Sequence, residues 1–586
     1  MGSFFKTFFA CLLAIFVGSI ASFLFTMALL AGLIASFGLE TTTPPSVEQG
    51  SILTIDLELP IQEREPSSPL QQIDFMNLQT KSSTTLAAVL QGIKNAAEDT
   101  RIVGIYLKVP MEVPTSLSTL WELRRALEEF RGSGKFIIAF ADSYSMEGYY
   151  LSSVGDCVAV NPRGTLEWLG MSATSVFYKG TLDKLGVKAE IIRHGKFKGA
   201  VEPLMLSALS DENRLQISDM VHSLWGTVVG GVAHNRTLDS TSLQQWASEL
   251  SICSAQQAQQ RGMVDQLYYR DQLMEKLKAL SGGHKPQFVD MSHYSLLAVK
   301  GASSSDKIAV VYASGEIVDS GKDKSLIVGN EMAKLLEQVG QDDNIKAVVL
   351  RINSPGGSAL ASEVIHRQVS LLRQSKPVVV SMGEYAASGG YYIACGADYI
   401  VATPATLTGS IGVFGVMMDV SAGAKDKLGV TSDVVSTNPS ADMGSMFRHL
   451  NPVERQYVQN QVDSVYTRFA GLVAQGRKMS YGEVDSLAQG RVWAGAQAVG
   501  LGLVDELGSL TTAVDKAAAM AGIESYRLTT YPKVDNSFAQ LFSELSSSGV
   551  RLLLGDKIGQ GATQIEKIVS RQGLRLQSEF DIKLNN

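Results

Sequence analysis

The sequence predicts an α/β protein built from two tandem copies of one unit, each with parallel strands joined by crossover helices. Apolar strands alternate with amphipathic helices along the chain, and this alternation is typical of parallel sheets with right-handed crossovers. Three landmarks of the first half recur in the second half after 243, 242 and 243 residues: Ile102 and Ile345, Gly148 and Gly390, and Asp183 and Asp426. One spacing shared by three landmarks indicates a tandem duplication.

The elements of each copy follow from hydrophobic periodicity. In the first copy, the alternating residues 51–59 predict a strand that ends at Pro60, and the polar stretch 61–85 predicts a long loop. The first copy continues with predicted helices at 86–98 and 121–130 and predicted strands at 102–109 and 135–140. The second copy repeats this order with predicted strands at 308–313, 345–352 and 377–381 and predicted helices at 330–339 and 359–373.

Changes in composition divide the chain into four parts. We expect a membrane anchor with its linker at 1–45, the first repeat at 46–300, the second repeat at 301–531 and a tail at 532–586. The seam between the repeats lies where the periodicity weakens, at 282–305. The tail is rich in Ser, Gln and Gly, and no role is assigned to it.

The N-terminal stretch predicts one transmembrane helix. Residues 7–39, between Lys6 and Glu40, form a run of 33 residues without a charge, whereas about 20 apolar residues are enough to cross the hydrocarbon. A cleaved signal peptide is the alternative, but its apolar region is only about 7–15 residues long. Lys6 before the span and Glu40 after it favour a cytoplasmic N-terminus, with the rest of the chain on the outer side of the membrane.

Composition excludes several classes of function. The 586 residues are too many for one core, and the net charge of −7 comes without a cluster of Lys and Arg, so nucleic-acid binding is not expected. The four cysteines, Cys11, Cys157, Cys253 and Cys395, have no CxxC spacing, and neither a disulfide framework nor a zinc site is predicted. We predict no metal and no cofactor.

A serine and two glycine-rich turns are the candidate catalytic elements. Ser388 follows the strand 377–381 and precedes an apolar helical segment. It therefore lies at the positive end of a helix dipole, where the N–H of Gly389 can point at an oxyanion. The turn at Gly356 and Gly357 follows another buried strand and supplies a second exposed N–H. Each turn alone is typical of ordinary loops. Together, at the ends of neighbouring parallel strands, they predict an oxyanion hole.

A nucleophilic serine needs a base, and a lysine fits this sequence better than a histidine. No histidine stands in either motif, no Gly-x-Ser-x-Gly elbow is present, and His194, close to the lysines, is more typical of a structural or surface residue. A buried lysine loses hydration, its pKa falls from about 10.4, and the neutral amine can accept the serine proton. The candidate stretch 193–203 contains Lys196 and Lys198, and the pattern alone does not distinguish them.

Three short motifs occur at 386–391 (AASGGY), 407–412 (LTGSIG) and 197–203 (FKGAVEP). Together they resemble the motifs of the signal peptide peptidase A family, also called protease IV, in its long duplicated form. The resemblance extends from the anchor to about residue 530, and the combination of the three motifs is specific. It implies a tandem pair of Clp-protease/crotonase-like domains behind the N-terminal transmembrane helix.

The resemblance also implies roles for individual residues. It makes Ser388 the nucleophile, Lys198 the general base and Ser410 the residue that supports the lysine. The two turns already described then form the oxyanion hole. Gly199 stands where a serine is common in the family, and we expect no catalytic consequence of that difference.

The duplication divides these elements between the copies. Met146 stands where the second copy has Ser388, and residues 111–113 (MEV) stand near the position of the glycine turn, so the first copy cannot form an oxyanion hole. Lys198 corresponds to residues 440–441 (SA) of the second copy. We therefore predict one active site per chain, formed where the two repeats meet.

These features predict a membrane-anchored serine endopeptidase that degrades cleaved signal peptides and other extended, apolar peptides. The expected partners are peptide substrates, the lipid bilayer and further copies of the chain, because the resemblance implies a bowl-shaped homo-oligomer, with a tetramer as the expected assembly. The location implied is the bacterial inner membrane, with one span and the body of the chain on the periplasmic side. Two alternatives are a crotonase-like acyl-CoA enzyme, for which no acid/base carboxylates or CoA site are evident, and a non-catalytic membrane scaffold.

Overall fold

A computed structural model describes residues 47–64, 84–297 and 304–533, the short segments 73–74, 79–80 and 573–577, and isolated positions at 13, 16–18 and 20. Apart from those isolated positions, the predicted membrane span at 7–39 lies outside the described residues. Within the part of the chain that is described, no helix is long and apolar enough to cross a bilayer.

Two sheets with the same strand order form the frame of the molecule. From edge to edge, the first contains Gln266–Leu267, Cys157–Val160, Phe136–Ala141, Ile102–Lys108, Ser51–Asp56 and Phe288–Asp290. In the corresponding order, six of the eight strands of the second sheet are Glu506–Leu507, Tyr399–Ala402, Val378–Ala387, Ile345–Ser354, Lys307–Ser314 and Arg527–Tyr531. The neighbours in this shared order all pair in parallel, which confirms the predicted α/β class and the duplication. The second sheet also continues from Val378–Ala387 through Leu407–Gly409 to an antiparallel edge strand, Val492–Ala494.

The helices also form two sets. The first copy contains Leu86–Glu98, Leu117–Arg131, Met146–Ser152, Lys179–Leu185, Glu202–Met205, Asp211–Arg236, Ser240–Ser248, Ala255–Gln260, Arg270–Leu280 and Met291–Leu297, with a 3-10 turn at Gly199–Val201. The second copy contains Gly329–Gln341, Ala359–Leu372, Gly389–Ala394, Ser421–Leu428, Pro452–Arg477, Tyr481–Leu487, Gly495–Gly500 and Leu510–Ala521. In each set the longest helix has 26 residues.

Several predicted boundaries differ from the structure for identifiable reasons. The helix predicted at 121–130 begins at Leu117 because Ser116 caps it, its side chain accepting a hydrogen bond from the Thr119 N–H. The strand predicted at 377–381 runs from Val378 to Ala387, because its second half pairs with a further strand, Leu407–Gly409. Small residues in that half give no period-2 pattern, so the sequence did not indicate its strand conformation.

The loop predicted at 61–85 contains short strands. Ile61–Gln62 pairs in parallel with Thr84–Thr85, and Ile73–Asp74 pairs antiparallel with Gln79–Thr80. The strand predicted at 51–59 ends at Asp56.

A third sheet, which the sequence did not predict, joins the two copies. Its strands are, in order, Ile327–Val328, Ile317–Val318, Gly356–Ser358, Gly573–Gln577, Val413–Asp419 and Lys188–His194. The last strand comes from the first copy and pairs antiparallel with Val413–Asp419 of the second. The strand Gly573–Gln577 belongs to the tail for which no role was predicted, and it pairs antiparallel on both sides.

A buried ion cluster and a continuous apolar core also connect the copies. The guanidinium of Arg351 is fully buried and bonds Glu63 at 2.8 Å and Glu122, equally buried, at 2.7 Å. One core cluster contains Leu123 and Tyr150 of the first copy together with Val349 of the second. The repeats are therefore packed against each other as one body, which fixes side chains of one copy against those of the other.

Candidate active site

Ser388 lies at a strained strand-to-helix junction. The strand Val378–Ala387 ends one residue before it, and the helix Gly389–Ala394 begins one residue after it. Ser388 is fully buried and has φ 57° and ψ −114°, a conformation that costs a residue with a Cβ about 1–3 kcal/mol. Its N–H donates to the carbonyl of Gly409 at 2.8 Å, which holds the turn against the neighbouring strand. Its side chain does not cap the helix that follows, so its hydroxyl is available for other contacts.

Lys198 reaches this junction from the other copy through the third sheet. The strand Lys188–His194 pairs with Val413–Asp419 so that His194 lies opposite Val413. The chain then turns, and the Phe197 N–H donates to the carbonyl of Gln489 at 2.9 Å. Pairing between the copies therefore places Lys198 beside the second-copy residues that precede Val413.

The amine of Lys198 is in contact with both serines named by the motifs. Its Nζ lies 2.8 Å from Ser388 Oγ and donates to Ser410 Oγ at 2.9 Å and to the Ser410 carbonyl at 3.1 Å. Lys198 is 1% exposed, and burial lowers the pKa of its amine well below the ordinary value of 10.5. The surroundings therefore favour the neutral amine, the form able to accept a proton.

Ser410 is held in an unusual conformation like that of Ser388. Its φ is 51°, and its N–H donates to the carbonyl of Arg491 at 2.7 Å. Thr408, two residues earlier, donates from its hydroxyl to the Ala386 carbonyl at 2.7 Å, so the two motifs are bonded side by side. Such backbone strain persists where the surrounding structure over-determines it, and here it coincides with both serines that touch Lys198.

The glycines proposed for the oxyanion hole also meet at this point. A Cβ added to Gly389 would lie 3.2 Å from the Gly357 nitrogen and 2.7 Å from Ser362 Oγ, so the close approach requires glycine. The Gly389 N–H is among the first four of its helix, which have no intrahelical acceptor. The Gly356 N–H donates to Ser354 Oγ at 3.2 Å. The peptide nitrogen of Gly357 therefore lies beside Gly389, the residue that follows Ser388.

The structure distinguishes the two lysines that the sequence pattern left open. Lys196 is exposed, and its Nζ lies 5.2 Å from the centre of its neighbouring Phe197 ring. His194 bonds other residues than Ser388. Its Nδ1 lies 2.7 Å from Asp463 Oδ1, and its ring stacks on the Tyr466 ring with a centroid distance of 3.8 Å. Met146 is buried in the apolar core of the first copy.

The structure gives a reason for glycine at position 199 that the sequence did not indicate. A Cβ at this position would lie 2.3 Å from Asn213 Nδ2. That nitrogen donates to the buried carboxylate of Glu202 at 3.0 Å. The serine that is common in the family would therefore displace Asn213 in this chain.

Sequence reasoning also missed the glycines of the second copy that leave room for the Lys198 side chain. Gly490 has φ 82°, and a Cβ there would lie 2.7 Å from the Lys198 Cβ. A Cβ on Gly412 would lie 3.2 Å from the Lys198 Cδ. Both glycines are distant from Lys198 in the sequence, and only the pairing of the copies brings them together.

Comparison with known proteins identifies relatives of both copies. The profile of peptidase family S49 matches residues 129–283 and 370–524, one match in each copy, and the profile of Clp protease matches residues 300–411. The chain is 34% identical to Protease 4 of Haemophilus influenzae over 95% of its own length and 92% of that protein. It is 29% identical to the chloroplastic serine protease SPPA of Arabidopsis thaliana, over 88% of the chain and 76% of that protein.

A shorter relative aligns with less than half of the chain. It is the putative signal peptide peptidase SppA of Enterococcus faecium, 32% identical over 46% of the chain and 77% of that protein. Matches in both copies, together with similarity to Protease 4 over nearly the whole length, establish that the chain belongs to peptidase family S49 and is a serine protease with a duplicated family domain.

Proposed function

We propose that this serine protease uses Ser388 as its nucleophile, Lys198 as its general base and Ser410 as the residue that orients the lysine. The observation that carries the proposal is the 2.8 Å separation between Lys198 Nζ and Ser388 Oγ, with both side chains buried. Burial is the cause of the lowered pKa of Lys198, and a lysine without its proton is the form a base requires. The two acceptor atoms of Ser410 support this geometry by fixing the direction of the amine.

The reaction follows from these positions. As Ser388 Oγ forms a bond to the substrate carbonyl carbon, its proton passes to the Lys198 amine, and the carbonyl electron pair moves onto oxygen. The N–H groups of Gly357 and Gly389 stabilise that oxyanion. When the tetrahedral intermediate collapses, the C–N bond breaks and the leaving amine takes the proton from Lys198. A water molecule, activated by the same amine, then hydrolyses the acyl-enzyme.

We propose that substrates bind as extended strands in the third sheet. The strand Gly573–Gln577 separates Gly356–Ser358 from Phe414 to Val416, and it is antiparallel to both. Adjacent strands of a sheet lie about 4.8 Å apart. The two strands on either side of Gly573–Gln577 are therefore separated by the width of one extended peptide, and they lie next to the catalytic residues. Phe414 and Val416, on one of these edges, pack in a small apolar cluster, and we propose that the substrates of this edge are apolar as well. Released signal peptides have this chemistry, and one relative is named "putative signal peptide peptidase SppA".

We also propose a membrane location, because an apolar N-terminal segment and apolar substrates both favour the bilayer. The uncharged run at 7–39 is long enough to anchor the chain in the bacterial inner membrane, with the catalytic body on the periplasmic side. Tethering raises the concentration of substrates that stay near the bilayer. The proposed division is an anchor and linker at 1–45, repeats at 46–300 and 301–531 and a tail at 532–586. Assembly of several chains around a shared cavity, as a tetramer, belongs to the same proposal.

Labelling with a fluorophosphonate tests the catalytic assignment directly. We expect the wild-type chain to be labelled on Ser388, and Ser388→Ala and Lys198→Ala to lose labelling and hydrolysis of a synthetic signal peptide. Lys196→Ala and Ser145→Ala are the matched controls, because they change the neighbouring lysine and the serine before the corresponding first-copy helix. Labelling that persists in Lys198→Ala, or is lost in Lys196→Ala, would refute the choice of base.

A further inference from the structure

Gln216 is a buried amide at the junction of the two copies. It lies in the helix Asp211–Arg236 and is 2% exposed. Its Nε2 donates to the Phe197 carbonyl at 2.8 Å and to Asn213 Oδ1 at 2.6 Å, and its Oε1 accepts the Val492 N–H at 3.1 Å. Both amide hydrogens and the amide oxygen are therefore used, and swapping the two ends would place like groups against each other.

The two backbone partners of Gln216 adjoin opposite sides of the catalytic contact. Phe197 directly precedes Lys198 in the first copy. Val492 directly follows Arg491, whose carbonyl accepts the Ser410 N–H at 2.7 Å in the second copy. One rigid amide thus connects the backbone that carries the lysine with the backbone that holds Ser410.

From this placement we propose that Gln216 is a positioning residue that sets the spacing of Lys198 relative to Ser410 and Ser388. The inference rests on the proposed function, since it concerns the orientation of the proposed base. Gln216 does not touch the reacting atoms and acts through the backbone of the lysine loop.

The lysine loop contacts the second copy at several points, among them Arg491, whose guanidinium lies 5.0 Å from the centre of the Phe197 ring. Gly490 and Gly412 face Lys198, and neither has a side chain to grip it. Arg193 donates to the Lys198 carbonyl at 3.0 Å, but this contact stays within the first copy. The Phe197 N–H bond to the Gln489 carbonyl joins the copies at one point. Gln216 adds a second connection between the backbones of the two copies, at the carbonyl of Phe197, and so restricts pivoting of the loop about the first.

Asn213 supports the orientation of Gln216. Its Oδ1 accepts from Gln216, while its Nδ2 donates to Glu202, whose other oxygen accepts from the Ser210 hydroxyl at 2.6 Å. The space for Asn213 exists because residue 199 is glycine. Networks of this kind, with every group bonded, rigidify a buried site.

Gln216→Leu and Gln216→Glu test the inference in the full-length chain. Leu removes all three bonds, and Glu keeps the shape and the acceptor for Val492 but loses both donors. We expect kcat for a synthetic signal peptide to fall about 10- to 100-fold in Gln216→Leu, because misplacing a catalytic group by about 1 Å costs up to 10²-fold. KM should change less than about twofold. As the loop loosens and water reaches Lys198, the acid limb of the pH–rate profile should move to higher pH.

Exposed Gln245, which bonds Glu249 at 2.7 Å, provides the control Gln245→Leu. A purely structural role of Gln216 predicts a lower melting temperature with an unchanged pH midpoint and kcat, and that result would overturn the inference. If Gln216→Leu does not fold, the same comparison is made on Gln216→Glu. Activity retained in Lys198→Ala would instead refute the proposed base, whereas an inactive Lys198→Ala beside a fully active Gln216→Leu would refute only the role of Gln216.

Discussion

The two copies place a serine before equivalent helices and use it in opposite ways. Ser145 precedes the helix Met146–Ser152 with φ −71° and ψ 168°, and its side chain accepts the Gly148 N–H as an ordinary cap. Ser388 precedes the helix Gly389–Ala394 with φ 57° and ψ −114°, and its side chain caps nothing. Each of the two helices also contains a tyrosine, Tyr149 in the first copy and Tyr391 in the second, whose hydroxyl donates to a backbone carbonyl. The same residue type therefore stabilises a helix in one copy and is directed at a lysine in the other.

Strand pairing explains the difference. In the second copy, Ala387 lies opposite Gly409, and the Ser388 N–H is bonded to the carbonyl of that glycine. In the first copy, the corresponding contact is reduced to a single bridge between Tyr144 and Leu166. Without the longer pairing, nothing pulls the chain out of the regular cap conformation. A catalytic turn thus requires its neighbouring strand as well as its serine.

Removing each serine is the strongest way to break the comparison. Ser388→Ala should lower kcat/KM for a synthetic signal peptide on the order of 10⁶-fold, as expected when a nucleophile is lost. Ser145→Ala should leave kcat/KM within about twofold but lower the free energy of unfolding by about 0.5–2 kcal/mol, because it removes a helix cap. Peptide hydrolysis and urea denaturation of both variants give the two values. Equal losses of activity would show that the first-copy helix also takes part in catalysis.

Replacing the lysine separates activity from stability. Lys198→Met should lower kcat about 10²- to 10⁴-fold, because it removes the general base, while Lys196→Met should retain activity. The unfolded chain has a lysine with a pKa near 10.5, and burial lowers the pKa of Lys198 in the folded protein. As the pH falls below 10.5, the unfolded state binds more protons, so the wild type loses stability that Lys198→Met keeps.

The melting temperature of Lys198→Met relative to wild type, measured from pH 10.5 downward, checks this sign. We expect the difference to favour Lys198→Met and to grow as the pH is lowered, by about 2–4 °C for each kcal/mol. Lys196→Met, which changes the exposed neighbouring lysine, is the control variant. A difference that shrinks toward lower pH would contradict a lowered pKa for Lys198.

A change in the third sheet tests whether peptides use the position of Gly573–Gln577. Leu576→Pro removes an N–H from that strand, which pairs with the catalytic edges on both sides. If substrate and strand compete, KM should fall about 2- to 10-fold with kcat unchanged, since one hydrogen bond contributes about 0.5–1.5 kcal/mol. The same tightening should appear when a labelled peptide binds Ser388→Ala. Gln560→Pro, outside the strand, is the control, and an unchanged KM in Leu576→Pro would argue against a shared position.

Glycine at the two helix starts sharpens the comparison through stability alone. Ser388→Gly should raise the free energy of unfolding by about 1–3 kcal/mol, because glycine adopts a positive φ without strain. Ser145→Gly should lower it by a few tenths of a kcal/mol, because glycine is a poorer cap. Chemical denaturation of the pair measures both signs. A loss of stability in Ser388→Gly would mean that its side chain contributes more than its backbone conformation costs.

Local patterns were enough to predict much of the frame. The helix predicted at 86–98 has the predicted bounds, and the strands predicted at 102–109 and 345–352 differ by at most two residues at one end. Elements made of small or polar residues were missed, because they have no strong hydrophobic period. The third sheet was missed for another reason. Its strands come from both copies and from the tail, and such long-range pairing leaves no local signal.

The residues of the site could be named from the sequence, but their contacts could not. Spacing and motifs alone determined the duplication, the α/β class and the short set of serines, glycines and lysines from which a catalytic site could be built. Tertiary structure decided that Lys198, and not Lys196, is buried against Ser388 and that Gln216 and Gly490 surround the lysine loop. The physical reason is that burial and hydrogen bonding are properties of neighbours in space. Here those neighbours belong to different copies and are brought together only when the strands Lys188–His194 and Val413–Asp419 pair.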